Sequence, residues 1–168
     1  MMTDPDFEAL RRLIGILRNH IIPAALSLLP EKMDSPEARA ILIAIALQET
    51  ALRHRRQVGG PALGLLQWEL PQVGLVLRHP VVGPLARNVL AALVYEPGDP
   101  PHERIHAAME HNDILQCAFS RLLLWPDAAP LPKRDDVQGF IATYLRVWKP
   151  GKPRLQTLAA NWAEAWLP

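Results

Sequence analysis

The chain has 168 residues, 49% hydrophobic and 21% charged, with a formal net charge of +1. That length and apolar content fit one domain spanning residues 1–168 with a sizeable core, and they exclude a disordered chain. The charge is too even to imply a nucleic-acid or acidic-membrane partner. The single cysteine, Cys117, excludes an internal disulfide and falls in an apolar run, where it reads as a small core residue.

Taken in chain order, Asp4-Pro5 reads as a helix cap followed by proline in the first turn, and Phe7, Leu10, Ile14 and Leu17 line one face of the helix it opens. The segment is not expected to be a secretory leader. Asp4, Asp6 and Glu8 stand where basic residues would be, and Arg18, Asn19 and His20 break the apolar stretch. No segment reaches the roughly 20 apolar residues of a membrane span. The expectation is a chain made in the cytoplasm without a signal peptide. Pro23 and Pro30 bracket a short apolar piece. Ser35-Pro36 is a second cap-plus-proline start, with Glu37 favourable in the first turn, and its helix is predicted to run to about Leu52. Gly59-Gly60-Pro61 is a turn, and the stretch to Gln67 reads as loop. Pro71, Gly74 and Pro80 interrupt the next segment before a helix predicted over Pro84 to Tyr95. A loop at 96–101 precedes a long helix over His102 to Leu124. Asp135 or Asp136 caps a helix reaching Trp148, and a short amphipathic helix closes the chain. No strand alternation is evident, so the fold class is mainly α.

One residue on the helix from Pro36 stands out. Ala38, Ile41, Leu42, Ile45 and Ala46 form an apolar face, and Glu49 falls four residues after Ile45 and three after Ala46, on that same face. Desolvation and the negative end of the helix dipole both disfavour its charged form and raise its pKa. A carboxyl still protonated near neutral pH is what a general acid must be to protonate a glycosidic oxygen. The other reading is a buried glutamate paired with Arg53, Arg55 or Arg56.

Glu49 is followed by a loop reading Gly60-Pro61-Ala62-Leu63-Gly64-Leu65-Leu66-Gln67, with Gln67 eighteen residues after the glutamate. These residue types at this spacing resemble the lysozyme-like soluble lytic transglycosylase family, which includes goose-type lysozymes. Its motif is a catalytic Glu, usually followed by Ser, then a loop ending Gly-Ala-x-Gly-Leu-x-Gln. Ala62, Gly64, Leu65 and Gln67 match; Thr50 stands in place of Ser and Pro61 in place of the commoner Gly. The specific match covers residues 49–67, and the size and the ending Trp148-Lys-Pro-Gly-Lys-Pro153 resemble phage-encoded members.

The resemblance implies a lysozyme-like helical domain that cleaves peptidoglycan between N-acetylmuramic acid and N-acetylglucosamine. Glu49 is then the catalytic acid/base, and the glycines, Gly64 among them, and Leu65 form a loop whose backbone approaches a sugar. Gln67 offers an amide that both donates and accepts. Trp68 is either a stacking platform for a sugar ring or a core tryptophan. Tyr144 resembles the late tyrosine that supports the catalytic Glu, and Asn112 a cleft asparagine; each also reads as an ordinary packed residue. Glu69 is the next carboxylate in sequence. If it positions a water, the product is a reducing end; if Glu49 acts alone, the product is a 1,6-anhydro sugar.

The implied partners are peptidoglycan glycan strands and other virion structural proteins, with no cofactor, metal, nucleic acid or membrane span. The implied place of action is the bacterial cell wall, reached from a phage virion or at lysis. Two other readings stand beside this one. The first is a structural virion protein that keeps the fold without activity. The second is a zinc metallohydrolase, because His102-Glu103-Arg104-Ile105-His106 matches H-E-x-x-H. Against the second, Arg104 puts positive charge between the ligands and Pro100-Pro101 places the motif in a first helical turn. Arg53-His54-Arg55-Arg56 reads as a solvated basic loop, which at a cleft edge would meet the carboxylates of peptidoglycan stem peptides.

Overall fold

A computed structural model describes residues 4–95 and 101–168. The loop expected at 96–101 lies outside the described residues except for Pro101, and the cap expected of Asp4 lies at their edge. Among those residues the structure is helical and without strands, as the mainly α expectation requires. None of these helices is long and apolar enough to cross a membrane.

Helix α1 (Asp4–Ile16) runs through a π turn (Leu17–Ile21) into α2 (Ile22–Leu26). Pro23 accounts for the wide turn. It has no N–H for the carbonyl four residues back, and its ring crowds that carbonyl. The Ile22 N–H reaches the Leu17 carbonyl, five residues back. Ile14 and Leu17 are buried, but Phe7 is 46% exposed, so the buried face starts later than the pattern implies.

Helix α3 (Pro36–Thr50) is the centre of the molecule. Ser35 Oγ accepts the Ala38 N–H at 3.1 Å, and Pro36 occupies the first turn, where a missing N–H leaves nothing unpaired. Residues Ile41 to Ala46 are each at most 1% exposed. The helix is therefore buried on every side, which corrects the expectation of one apolar face. It also ends two residues early, because Ala51 and Leu52 take left-handed φ values of 49° and 59°.

Three further expectations change. Helix α4 (Leu70–Arg78) occupies a stretch read as interrupted, with Pro71 in its first turn and Glu69 and Gln72 forming a capping box. Helix α5 (Val82–Ala92) begins and ends earlier than predicted. The long helix predicted over 102–124 is two helices, α6 (His102–Ala108) and α7 (Asp113–Leu124). Asn112 divides them. Its backbone leaves helical geometry, and its Oδ1 accepts the Leu115 N–H at 2.9 Å. Asp136 caps α8 (Val137–Thr143), which continues as a π turn (Tyr144–Trp148); α9 (Leu155–Ala165) closes the chain. Helix α3 packs on α9 and α7, α7 also on α2, α4 and α5, and α8 on α9.

Candidate active site

The loop between α3 and α4 is held by buried polar contacts. Leu63 and Trp68 exchange backbone hydrogen bonds of 2.9 and 2.8 Å, closing a tight turn over Gly64 to Gln67. Gly64 has φ +80°, and a Cβ there would collide with the Met109 carbonyl oxygen and the Gln116 side chain. The Thr50 hydroxyl donates to the Leu65 carbonyl at 2.9 Å and accepts the Leu52 N–H at 3.1 Å. It joins the end of α3 to this turn. Fully buried Gln116 accepts the Leu66 N–H at 3.0 Å, and Trp148 Nε1 donates to the Leu66 carbonyl at 3.2 Å. With the backbone groups so satisfied, the turn is a fixed platform.

A cleft of about 740 Å³ opens where α3 ends against this platform, the start of α4 and the segment from Tyr144 to Arg154. Glu49, Gln67, Glu69 and Tyr144 all line it. Glu49 sits in the last turn of α3, where the buried helix reaches the cleft and its side chain is only partly exposed. The Tyr144 hydroxyl donates to Glu49 Oε1 at 2.7 Å. Tyr144 is at the start of the π turn and 2% exposed, so its ring is fixed by packing. Burial is the main influence on Glu49 and raises its pKa above the ordinary value; the Tyr144 hydrogen bond and the Arg154 charge lower it, and the Glu69 charge raises it. The outcome is a carboxyl biased toward its protonated form with a hydroxyl fixed against it, the combination a proton-transfer group needs.

Gln67 reaches the cleft from a left-handed backbone position (φ 51°), its Nε2 donating to the Gly64 carbonyl at 2.7 Å. Its amide oxygen remains available to a ligand. The other expected binding residues are placed differently. Gly64 and Leu65 are buried in the platform, and the close approach that Gly64 permits is to Met109 and Gln116 rather than to a ligand. Trp68 is 0% exposed, its Nε1 donating to Ser120 Oγ at 3.0 Å and its ring edge-on to Phe119 and Trp148, so it offers no face to a sugar. Asn112 caps α7, and its Nδ2 donates to the Tyr95 hydroxyl at 3.1 Å, beside a separate depression.

The basic run is also elsewhere. Arg55 makes a two-pronged ion pair with Asp113 at 2.7 and 2.9 Å, and Arg56 pairs with Glu110 at 2.6 and 2.5 Å. Neither pairs with Glu49. In the H-E-x-x-H stretch, His106 Nε2 is engaged by the Trp68 carbonyl at 2.7 Å. No three His, Cys, Asp or Glu among the described residues are grouped to hold a metal.

Sequence reasoning missed Lys149, Lys152 and Arg154, which line the cleft from the segment after the π turn. Arg154 donates to the Gln48 carbonyl, next to Glu49. Two sequence signals pointed to them: their clustering after Trp148, and the Pro150 and Pro153 that stop helix formation there. Comparison with protein families, curated proteins and solved structures finds no match to this chain.

Proposed function

We propose that the protein cleaves the glycan strand of peptidoglycan between N-acetylmuramic acid and N-acetylglucosamine, with Glu49 as general acid and then base. The observation that carries this reading is the Glu49 carboxyl lining a cleft, its pKa raised by burial and its Oε1 accepting a hydrogen bond from Tyr144. A raised pKa favours the protonated form, which is the one that can give its proton to the glycosidic oxygen as the bond breaks. The 2-acetamido group of the sugar stabilises the cationic carbon. The Glu49 carboxylate then takes the proton of that sugar's C6 hydroxyl as its oxygen closes on the anomeric carbon. This restores the acid and gives a 1,6-anhydro end. Gln67, with a free amide oxygen at the cleft, orients an N-acetyl or hydroxyl group. The resemblance to phage-encoded transglycosylases supports this reading and extends it to a virion-borne or lysis enzyme acting on the bacterial cell wall.

Glu69 marks the branch between products. It lines the same cleft and its charge acts on Glu49. If it positions a water, the product is a reducing end and the enzyme is a muramidase. Mass spectrometry of purified peptidoglycan digested with wild type and with Glu49→Gln separates the cases. Anhydro ends from wild type alone identify a transglycosylase acting through Glu49, and reducing ends a muramidase. No release by folded wild-type protein overturns the enzymatic reading and leaves a structural protein.

A further inference from the structure

The cleft carries two carboxylates and three cations. Glu49 and Glu69 line it, together with Lys149, Lys152 and Arg154. Arg154 is committed to the Gln48 carbonyl and its charge reaches Glu49. Lys149 and Lys152 are exposed, and among the described residues no carboxylate lies within ion-pair distance of either. Other basic side chains, such as Arg39, Arg55, Arg56, Lys133 and Arg146, are each paired with an acidic one. Exposed Arg12, Arg53, Arg78 and Arg134 also lack an acidic partner among the described residues, but they lie away from the cleft; Lys149 and Lys152 are the unpaired lysines that line it, where the proposed substrate lies. Lys149 also stands at φ 51° after the π turn, a left-handed position that glycine fills without strain, yet the chain keeps a long cationic side chain there.

A neutral glycan has no use for this charge. An uncharged sugar polymer is bound by hydrogen bonds and ring packing, whereas unpaired ammonium groups on a cleft wall favour carboxylates by complementarity. We propose that Lys149 and Lys152, backed by Arg154, form a carboxylate-binding wall that selects glycan bearing acidic substituents over unsubstituted glycan of the same length. This rests on the glycan-cleaving reading and sharpens it. The carboxylates have two sources, one in place of the other: a sugar whose lactyl group carries a peptide offers the peptide's carboxylates, its own carboxyl being tied up as an amide, and a sugar without a peptide offers the lactyl carboxylate. The basic residues that read from sequence as meeting such groups, Arg55 and Arg56, are paired with Asp113 and Glu110, and the cleft's own cations take that role.

The test is binding of the Glu49→Gln protein to three length-matched ligands: strands with intact peptides, strands whose peptides have been removed to leave the lactyl carboxylate, and chitin oligosaccharide with no carboxylate. The expected result is tighter binding of both acidic ligands than of chitin oligosaccharide at low salt. Adding Lys149→Ala and Lys152→Ala together weakens the acidic ligands about two- to fivefold per lysine and leaves chitin oligosaccharide unchanged. Raising ionic strength to about 0.5 M removes most of the preference, because exposed charges are then screened. Weaker binding of the second ligand than of the first assigns the wall to the peptide carboxylates, tighter binding of the second assigns it to the lactyl carboxylate, and equal binding shows that the wall takes either. Equal binding of all three, a preference that survives the lysine substitutions, or binding of none overturns the proposal. Wild-type cleavage of peptidoglycan, measured separately, tells that failure apart from failure of the glycan-cleaving reading.

Discussion

The Glu49 carboxyl is held between opposing influences, and their signs make it testable. Burial and the Glu69 charge favour the protonated form, while the Tyr144 hydroxyl and the Arg154 charge favour the ionised one. Its folded pKa lies above the unfolded value, so Glu49 favours the fold below the unfolded pKa and that contribution is lost as pH rises through the folded pKa. Glu49→Gln cannot ionise and keeps an oxygen for Tyr144. At pH 7 it is expected to be more stable than wild type by about 1 kcal/mol, a rise in melting temperature of about 2–4 °C. The difference should close as pH falls toward the ordinary glutamate value of 4.5; thermal melts at both ends of this range check it, and a Gln variant less stable at pH 7 counts against it. Tyr144→Phe removes a lowering influence, so the Glu49 pKa rises further. On the proposed mechanism the alkaline limb of the pH–rate profile moves up, and the rate at the optimum falls about tenfold, the scale of one charge-assisted hydrogen bond. A limb that stays or moves down would show that Tyr144 does not act on this carboxyl. Glu49 and Gln67 were legible in sequence as cleft residues because helix position and motif spacing carry them, and Tyr144 only through the family resemblance. Trp68 and Lys149 were not, because which side of a turn faces a cleft depends on elements far along the chain, such as Ser120 for Trp68.

Helix boundaries followed local chemistry, and the misreadings have local causes. Ser35-Pro36 and Asp136 start helices as their side chains dictate. Pro71 was read as a breaker, although Glu69 and Gln72 around it form a capping box with the Glu69 N–H donating to Gln72 Oε1 at 2.8 Å. A proline in a first turn and a proline in an interior look alike until the cap is read with it. Asn112-Asp113 likewise held the signal of a new helix start inside an unbroken apolar pattern. Burial all round α3 was beyond reach, because it depends on α7 and α9 closing over it. The platform turn between α3 and α4 yields an element-scale prediction. Gly64→Ala places a methyl group against the Met109 carbonyl and Gln116 at a left-handed φ. It is expected to destabilise by about 2–4 kcal/mol. A denaturation midpoint within about 0.5 kcal/mol of wild type would mean that the turn yields, and with it the fixed placement of Gln67.

The molecule as a whole brings its cleft together by closing the C-terminal helix onto the central one. Helix α9 packs along α3, and the Phe140–Trp162 stack, with centroids 4.7 Å apart, ties it to α8, which leads into the π turn carrying Tyr144. One buried side chain joins these parts. Gln48, 2% exposed and adjacent to Glu49, accepts from Thr157 Oγ1 and Asn161 Nδ2 at 2.8 Å each and donates to the Arg154 carbonyl at 3.0 Å. The wall bearing Lys149, Lys152 and Arg154 is thereby fixed against the end of α3 through a network that nearly fills the capacity of one amide. Gln48→Leu keeps the volume but leaves Asn161 without this acceptor and the Arg154 carbonyl without this donor. The expected loss is about 1–3 kcal/mol in chemical denaturation. Asn161→Leu in the same background should restore part of it, because an apolar pair is less costly than an orphaned amide. A double-mutant cycle measures the coupling. If the two losses simply add, Gln48 and Asn161 act independently, and their hydrogen bond does not tie α9 to α3. A coupling of about 0.5 kcal/mol or more places the positioning of the cationic wall in this network, since its residues run without a break from Lys149 into α9.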